Sequence, residues 1–406
     1  MGLAVVSWSR VCVAEEPCAG PITRRNVAAC ALEASPLLRE SLAELRAAEG
    51  RRDAARPFLP SNPVIAGSVA SRVGPTDRAL NWNLSLGQEL EVAGQRWLRV
   101  EVSDTELSAQ RSQGLVARRD ISAQAWVAYF TALAAQERLA LAGTLEAATN
   151  GVADTVRAMA AKGLASELDV DVAETAALRG THERLGLEAS VAASKVQLAQ
   201  LTAHRPDLAV EGTLEPVAVG EVQPVSTRPE LLSAQTQQVA SQRRVALLER
   251  MRVPNPTVSL FAQNDGFNER VLGVGLSFPV PLPQPVGRTR AGEIVEAKAV
   301  SEHAGAATER LQRELIAELA IATAQYIAAS KARQLYASER VERATTRLVR
   351  VAEQVKAARL PVREALLAQQ ALVEQLKAAI DAREALCVAS VRLARAAGTS
   401  LEGDAL

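Results

Sequence analysis

The chain has 406 residues, 46 basic and 46 acidic side chains that cancel to zero formal charge, 48% hydrophobic residues and only 3% aromatics. Without a basic run there is nothing to attract nucleic acid, since phosphate recognition needs clustered Lys and Arg. No apolar stretch reaches the roughly 18 to 20 residues of a membrane-spanning helix, so any membrane crossing must use strands.

So few aromatics among so much Ala and Leu suit long helices in close contact better than several globular cores. Residues 1–21 hold a short apolar run and VCVA, and read either as the remnant of an export signal or as a disordered tail. The four cysteines, Cys12, Cys18, Cys30 and Cys387, lack metal-finger spacing. A Cys12–Cys18 disulfide and an unpaired segment both remain open. Cys387 stands at an apolar heptad position and reads as a small buried hydrophobe.

From Pro36 to Pro57 the pattern is helical, with Leu38, Leu42 and Leu45 on one stripe, and Pro57, Pro60 and Pro63 stop it. Asn62-Pro63 then leads into an extended segment, the turn GPTDR at 74–78 and a second strand, LNWNLSLGQELEV. That strand puts Leu80, Trp82, Leu84, Leu86, Leu90 and Val92 on one face and Asn81, Asn83, Ser85, Gly87, Glu89 and Glu91 on the other. The pattern fits a half-buried hairpin of a soluble sheet or a transmembrane strand. After VAGQR (92–96) no proline interrupts the chain to about Ala161. A helix of that length would extend about 100 Å, more than a globular domain needs. It turns at KGLASELDV, where Gly163 suits a helix C-cap, Ser166 an N-cap and Asp169 the N3 position.

The layout recurs at an offset of 193 residues, pairing Pro36 with Pro229, Leu38 with Leu231 and Asn62-Pro63 with Asn255-Pro256. Here Leu272, Val274, Leu276, Phe278 and Val280 alternate with small residues, a long helical region follows PVGRT (285–289), and the chain turns at KAARLPVRE with Pro361 opposite Ser166 and Glu364 opposite Asp169. The returning segment spaces Leu366, Val373, Leu376, Ile380 and Cys387 as a coiled coil does. The expected organisation is therefore an N-terminal segment 1–21, a first repeat 22–203 of helix, two strands and long helical hairpin, a linker 204–228 without strong pattern, a second repeat 229–400 and a disordered end 401–406. The fold class is mainly α with a small β part: internally duplicated, long antiparallel coiled-coil hairpins plus four β-strands. Four strands cannot close a barrel, and open edges in hydrocarbon leave backbone groups unpaired at several kcal/mol each. Three copies would pool twelve strands into a barrel continued by an α-helical tunnel.

The element order, the repeated Asn-Pro before a strand pair, LSFPVPLPQPVGRTRAGEIVEAKA (276–299) and the K-G-L-A-S-E-L-D-V tip together resemble the TolC family of trimeric outer-membrane efflux channels, over roughly residues 22–400. The Pro-Leu-Pro at 281–283 looks most like the heavy-metal (cobalt-zinc-cadmium type) resistance branch. The resemblance implies a homotrimer in the outer membrane of a Gram-negative bacterium with its helical part in the periplasm. It would be a passive export duct for heavy-metal cations or other small substrates, docking a periplasmic adaptor (membrane fusion) protein and an inner-membrane pump of the proton-driven kind.

Carried over residue by residue, the adaptor-docking tips are Arg157, Lys162, Gly163, Leu164, Ser166 and Asp169, then Lys356, Ala358, Leu360 and Glu364. Asp169 and Glu364 are candidate entrance acids, though both also sit where an acid merely steadies a helix start. The chain departs from the family at Ala358 and Pro361, and Leu367 replaces a second acid. The expected lipid-facing strand residues are Leu80, Trp82, Leu84 and Leu86, then Leu272, Val274, Leu276 and Phe278.

An enzyme is not expected. His182, His204 and His303 are widely spaced, no Ser-His-Asp signature, P-loop or zinc spacing occurs, GVGLSFP (273–279) lacks the third glycine of a phosphate loop, and three methionines make no thioether ladder. Neither cofactor nor metal is called for. The rival reading is a soluble periplasmic coiled-coil adaptor or scaffold; two hairpins, each preceded by a strand pair, weigh against it.

Overall fold

A computed structural model describes residues 18, 20–73, 78–205, 207, 209–264, 269–282, 286, 289–357 and 359–401. The N-terminal reading of residues 1–17, Cys12 included, the 74–77 part of the first turn and most of the second lie outside it.

In chain order come α1 (Val27–Ala34), α2 (Pro36–Ala55), β1 (Val64–Val73), β2 (Arg78–Glu89), α3 (Gln95–Ala160), α4 (Glu167–Thr202), α5 (Pro229–Arg250), β3 (Thr257–Asn264), β4 (Arg270–Ser277), α6 (Ala291–Leu335), α7 (Ser338–Lys356) and α8 (Val362–Ala397). Helix α3 runs 66 residues without a break at Gly143 or Gly151. Helix α2 stops before Pro57 and α5 before Pro254, each ahead of its Asn-Pro motif, as proline's missing N–H requires. The elements fall into two compact units: one comprises residues up to 38 with 117–224 and 315–406, the other residues 39–116 with 225–314.

In the first unit, three of the chain's few aromatics gather on one face of α3. Trp126, Tyr129 and Phe130 are buried with ring centroids 5.5 to 5.9 Å apart. Around them close Val27, Cys30 and Ala31 of α1, Leu198 of α4 and Cys387 and Val391 of α8. The segment between α4 and α5 carries no sequence period, yet Val210, Leu214 and Val217 are buried in this core. Polar groups fix it there: the Tyr129 hydroxyl donates to the Glu211 carbonyl at 2.7 Å, and the Ser390 hydroxyl accepts from the Val217 N–H at 2.9 Å. The Trp126 indole likewise donates to the Leu401 carbonyl at 2.9 Å.

Cys18 is disulfide-bonded to Cys30, which corrects both readings of the N-terminal cysteines. The bridge forms because Ile22 pairs with Val210, turning the chain so that Cys18 meets the first helix. Cys387 is the buried free thiol the heptad spacing anticipates.

Elsewhere α3 and α8 are joined by Arg138 to Asp381 at 2.6 Å and to Glu384, and by Arg383 to Glu137 at 2.8 Å. Such half-exposed pairs contribute about 0 to 1 kcal/mol each, so they fix helix register more than stability.

The second long helical region differs from the first. It breaks at Tyr336-Ala337 between α6 and α7, where the Arg340 guanidinium donates to the Leu335 carbonyl at 3.2 Å. No Pro or Gly marks the place.

In the second unit the four strands form one antiparallel sheet in the order β1-β2-β3-β4, leaving β1 and β4 as edges. Leu84 lies opposite Gly67 on one side and Ala262 on the other, and Ala262 lies opposite Leu272.

Candidate functional site

Direct opposition in a sheet places residues on the same face, so the register sorts the side chains. One face carries Ile65, Val69, Leu80, Trp82, Leu84, Leu86, Leu260, Leu272, Val274 and Leu276, all more than a third exposed. The opposite face carries Asn81, Asn83, Ser85, Gly87, Ser259, Gln263, Gly273 and Gly275, with Asn83 Nδ2 donating to Gln263 Oε1 at 3.4 Å. Along β2 the apolar residues are the exposed ones and the polar residues half-buried, the reverse of a soluble sheet with an internal core. All ten residues of the β1 edge are exposed.

Two strand expectations are corrected. The second strand stops at Glu89, so Leu90 and Val92 lie beyond it; Leu90 instead gives its N–H to the Pro256 carbonyl at 2.9 Å. Phe278 is exposed but falls one residue past the end of β4, because Pro279 and Pro281 cannot donate to a ladder.

Below the sheet the repeated Asn-Pro acquires a role that its sequence does not disclose. Asn255 Nδ2 donates to Glu89 Oε1 at 2.7 Å, and Asn255 Oδ1 accepts from Gln95 Nε2 at 3.0 Å. Gln95 is buried, and its Oε1 accepts the Ala93 N–H at 2.9 Å. The end of β2, the start of α3 and the approach to β3 are thus locked together. Nothing local in the sequence marks Gln95 or Glu89 for this role, because their partner is 160 or more residues away.

The first tip lies in the other unit. At the end of α3 the Leu164 N–H reaches back to the Met159 carbonyl at 2.9 Å, with Gly163 at φ +73°, a conformation that favours glycine. Ser166 caps α4: its hydroxyl accepts the Asp169 N–H at 3.1 Å, while Asp169 Oδ2 accepts the Ser166 N–H at 3.1 Å and hydroxyl at 2.7 Å. These bonds, the hydroxyl's first and the backbone's second, hold the Asp169 carboxyl below its ordinary value. Arg157 spans the hairpin, donating to Asp154 at 2.8 Å and to Glu174 at 2.8 and 3.2 Å. Lys162 and Leu164 are exposed.

Leu360 of the second tip packs with Val362 on a cluster that includes Val152, Val156, Ala173, Val355 and Ala365, so the two hairpin ends share one core. Glu364 is exposed in the first turn of α8. Pro361 stands at the N-cap, one residue before that helix. Among the described residues no hydrogen bond or ion pair joins Asp169 to Glu364. Ala358 and the Lys356 side chain lie outside the described residues. Leu168, 70% exposed, forms with Val172 an exposed apolar i, i+4 pair in the first turns of α4.

Among the described residues no group of His, Cys, Asp or Glu could hold a metal ion, and no helix is long and apolar enough to cross a membrane.

This combination of an outward-apolar four-stranded sheet with paired helical hairpins is the fold of bacterial outer-membrane channels. The chain matches the outer membrane protein VceC from Vibrio cholerae at TM-score 0.75 and 20% identity, covering 92% of this chain and 96% of that one. It matches the open state of the Neisseria gonorrhoeae MtrE outer membrane channel at TM-score 0.76 and 18% identity, covering 92% and 88%. It matches CusC, whose structures concern folding and transmembrane channel formation, at TM-score 0.76 and 16% identity, covering 92% and 91%. By sequence, residues 28–204 match the family described as outer membrane efflux protein. No curated protein matches the chain.

Proposed function

We propose that this protein is the outer-membrane channel of a tripartite efflux system, a passive duct and not an enzyme. The observation that carries the reading is the sheet: its exposed face is apolar, its half-buried face polar, and both edges are unpaired. Hydrocarbon would satisfy the first property and a water-filled lumen the second. Only edge-to-edge closure satisfies the third, since each unpaired backbone group in lipid costs several kcal/mol.

Three chains closing β1 of one against β4 of the next would make twelve strands. The trimer would stand in the outer membrane of a Gram-negative bacterium, with the hairpins in the periplasm. The tips are assigned to an adaptor and, through it, to an inner-membrane pump: Leu164 and Leu168 offer apolar contacts, Lys162 and Glu364 charges, and Asp169 and Glu364 are the acids placed to line an entrance. The Pro-Leu-Pro at 281–283 favours heavy-metal cations as cargo among small substrates. The two repeats, 22–203 and 229–400, are read as an ancient duplication.

The test is to express the full chain behind a complete export signal and fractionate the cells. A heat-sensitive trimer extracted by detergent from outer membranes, cross-linked by cysteines at Val69 and Val274, is expected. A soluble monomer would overturn the channel and favour a periplasmic scaffold. Loss of cobalt, zinc and cadmium tolerance on deletion is expected for the assigned cargo.

A further inference from the structure

On the apolar face of the sheet the side chains of one column are unequal. Along β3 this face carries Leu260, Ala262 and Asn264, and Ala262 lies between Leu84 of β2 and Leu272 of β4. Its single methyl leaves a furrow of about 380 Å³ walled by Leu84, Leu86, Leu260 and Leu272. The volume lies within the roughly 300 to 1,000 Å³ of small-molecule sites, and these walls are hydrocarbon. The furrow suits an alkyl chain.

The next row on the same face has another chemistry. Asn264 lies directly opposite Trp82 on one side and Arg270 on the other. Neighbouring strands are about 4.8 Å apart, so the three residues span about 10 Å, and they stand about 7 Å along the strands from Ala262. Arg270 is exposed, and among the described residues it has no carboxylate partner. Trp82 joins an apolar ring to a polar N–H, as side chains at a membrane–water boundary do. The register thus gathers a cation, an amide and an aromatic ring at the mouth of a hydrocarbon furrow, within reach of one molecule. This is the end of the sheet at which β1 turns into β2 and β3 into β4; the other end leads into the helices.

We infer that this site holds a phosphorylated glycolipid of the outer leaflet, with an acyl chain in the furrow, a phosphate on Arg270, and a sugar against Asn264 and the Trp82 ring. The inference rests on the channel reading, which puts the helices in the periplasm and therefore the turn end of the sheet at the external leaflet. Arginine takes phosphate through paired, charge-assisted N–H donors. A chain passing from the bilayer into the furrow exchanges one hydrocarbon surrounding for another, so selectivity comes from the polar row. A glycolipid engages its cation, amide and ring together; phosphatidylglycerol, which has no sugar, leaves the ring without a face to stack on.

The experiment adds diphosphoryl lipid A to the detergent-extracted full-length oligomer and reads bound lipid by native mass spectrometry. Saturable binding is expected, weakened about tenfold or more by removal of the lipid's phosphates or by Arg270→Gln. The variant should bind the phosphate-free lipid as the parent does. Arg270→Lys should keep most of the binding, and Ala262→Leu, which fills the furrow, should lose it. Arg72→Gln, at the same end of the sheet but on its polar face, should leave it unchanged. Equal affinity in Arg270→Gln overturns the proposal, and so does phosphatidylglycerol binding as tightly as lipid A. A membrane-extracted oligomer that takes up no lipid A overturns this inference and leaves the channel reading standing; absence of such an oligomer overturns both.

Discussion

Phe261 on β3 lies directly opposite Gly273 on β4, and its ring fills the space where a Cβ at position 273 would stand. The ring covers the glycine on the sheet's polar face, so the two residues are sterically one unit. Gly273→Ala should displace the ring and lower the melting temperature of the detergent-solubilised protein. Adding Phe261→Ala should remove most of that extra penalty. The double-mutant cycle is expected to return a coupling of about 0.5 to 3 kcal/mol; additive effects would show that the ring does not depend on the glycine.

The Ser166–Asp169 box closes the first tip from within one turn of helix. Ser166→Ala removes an N-cap worth about 1 kcal/mol, and hydrogen exchange at residues 167–170 should quicken about fivefold while the core of α3 is unchanged. Asp169 gives the pH dependence. Its carboxyl is held below the ordinary 3.8 by the Ser166 hydroxyl and N–H, so its contribution is complete above that value and disappears as pH falls below it. The protection of tip amides, their exchange relative to the intrinsic rate at each pH, should therefore fall below about pH 4, and Asp169→Asn should abolish that acid response.

Leu84 and Asn83 are chain neighbours on opposite faces of β2. With the apolar face in lipid, Leu84→Arg should cost about 2 to 4 kcal/mol near the midplane and deplete the heat-sensitive oligomer in outer membranes. Asn83→Arg, on the polar face that the proposed channel turns to its lumen, should assemble normally and alter ion selectivity in planar bilayers. Equal assembly of both variants would contradict the assignment of faces.

Burial pushes the Cys387 thiol up to about 12. In a Cys12→Ser chain, iodoacetamide at pH 8.5 should leave folded Cys387 unmodified and alkylate it on unfolding. The sign of the linkage follows: the folded pKa is raised, so the stabilisation from keeping the thiol neutral is complete below the ordinary 9.0 and is lost as pH rises from there towards 12. Cys387→Ala should remove this alkaline loss.

What the sequence discloses here is what local period and local chemistry encode. The stop of α2 before its prolines, the unbroken α3, the alternation of β2 and the Ser166–Asp169 cap each need only a few neighbouring residues. What escapes is set by distant partners. Helix α1 is short, and its bridge to Cys18 follows from Ile22 meeting Val210. The 210–217 segment has no period because it is held by Tyr129 and Ser390, which belong to other elements. Asn255 is conspicuous in sequence as half of a repeated dipeptide, but its partners Gln95 and Glu89 are not. The break at Tyr336-Ala337 has no local breaker to announce it.

On the proposed edge-to-edge closure, the two outer strands of the sheet make each chain a difunctional monomer in the polymer chemist's sense. Reactive ends that are complementary either cyclise or propagate, and the choice is made by the curvature of the unit, not by the strength of the bond. A chain with prolines in alternate positions of β1 would be monofunctional: able to accept a neighbour at β4, unable to offer β1. Added in small proportion it would act as a chain stopper, terminating rings before they close, and its inhibitory effect would grow with the number of chains each ring requires.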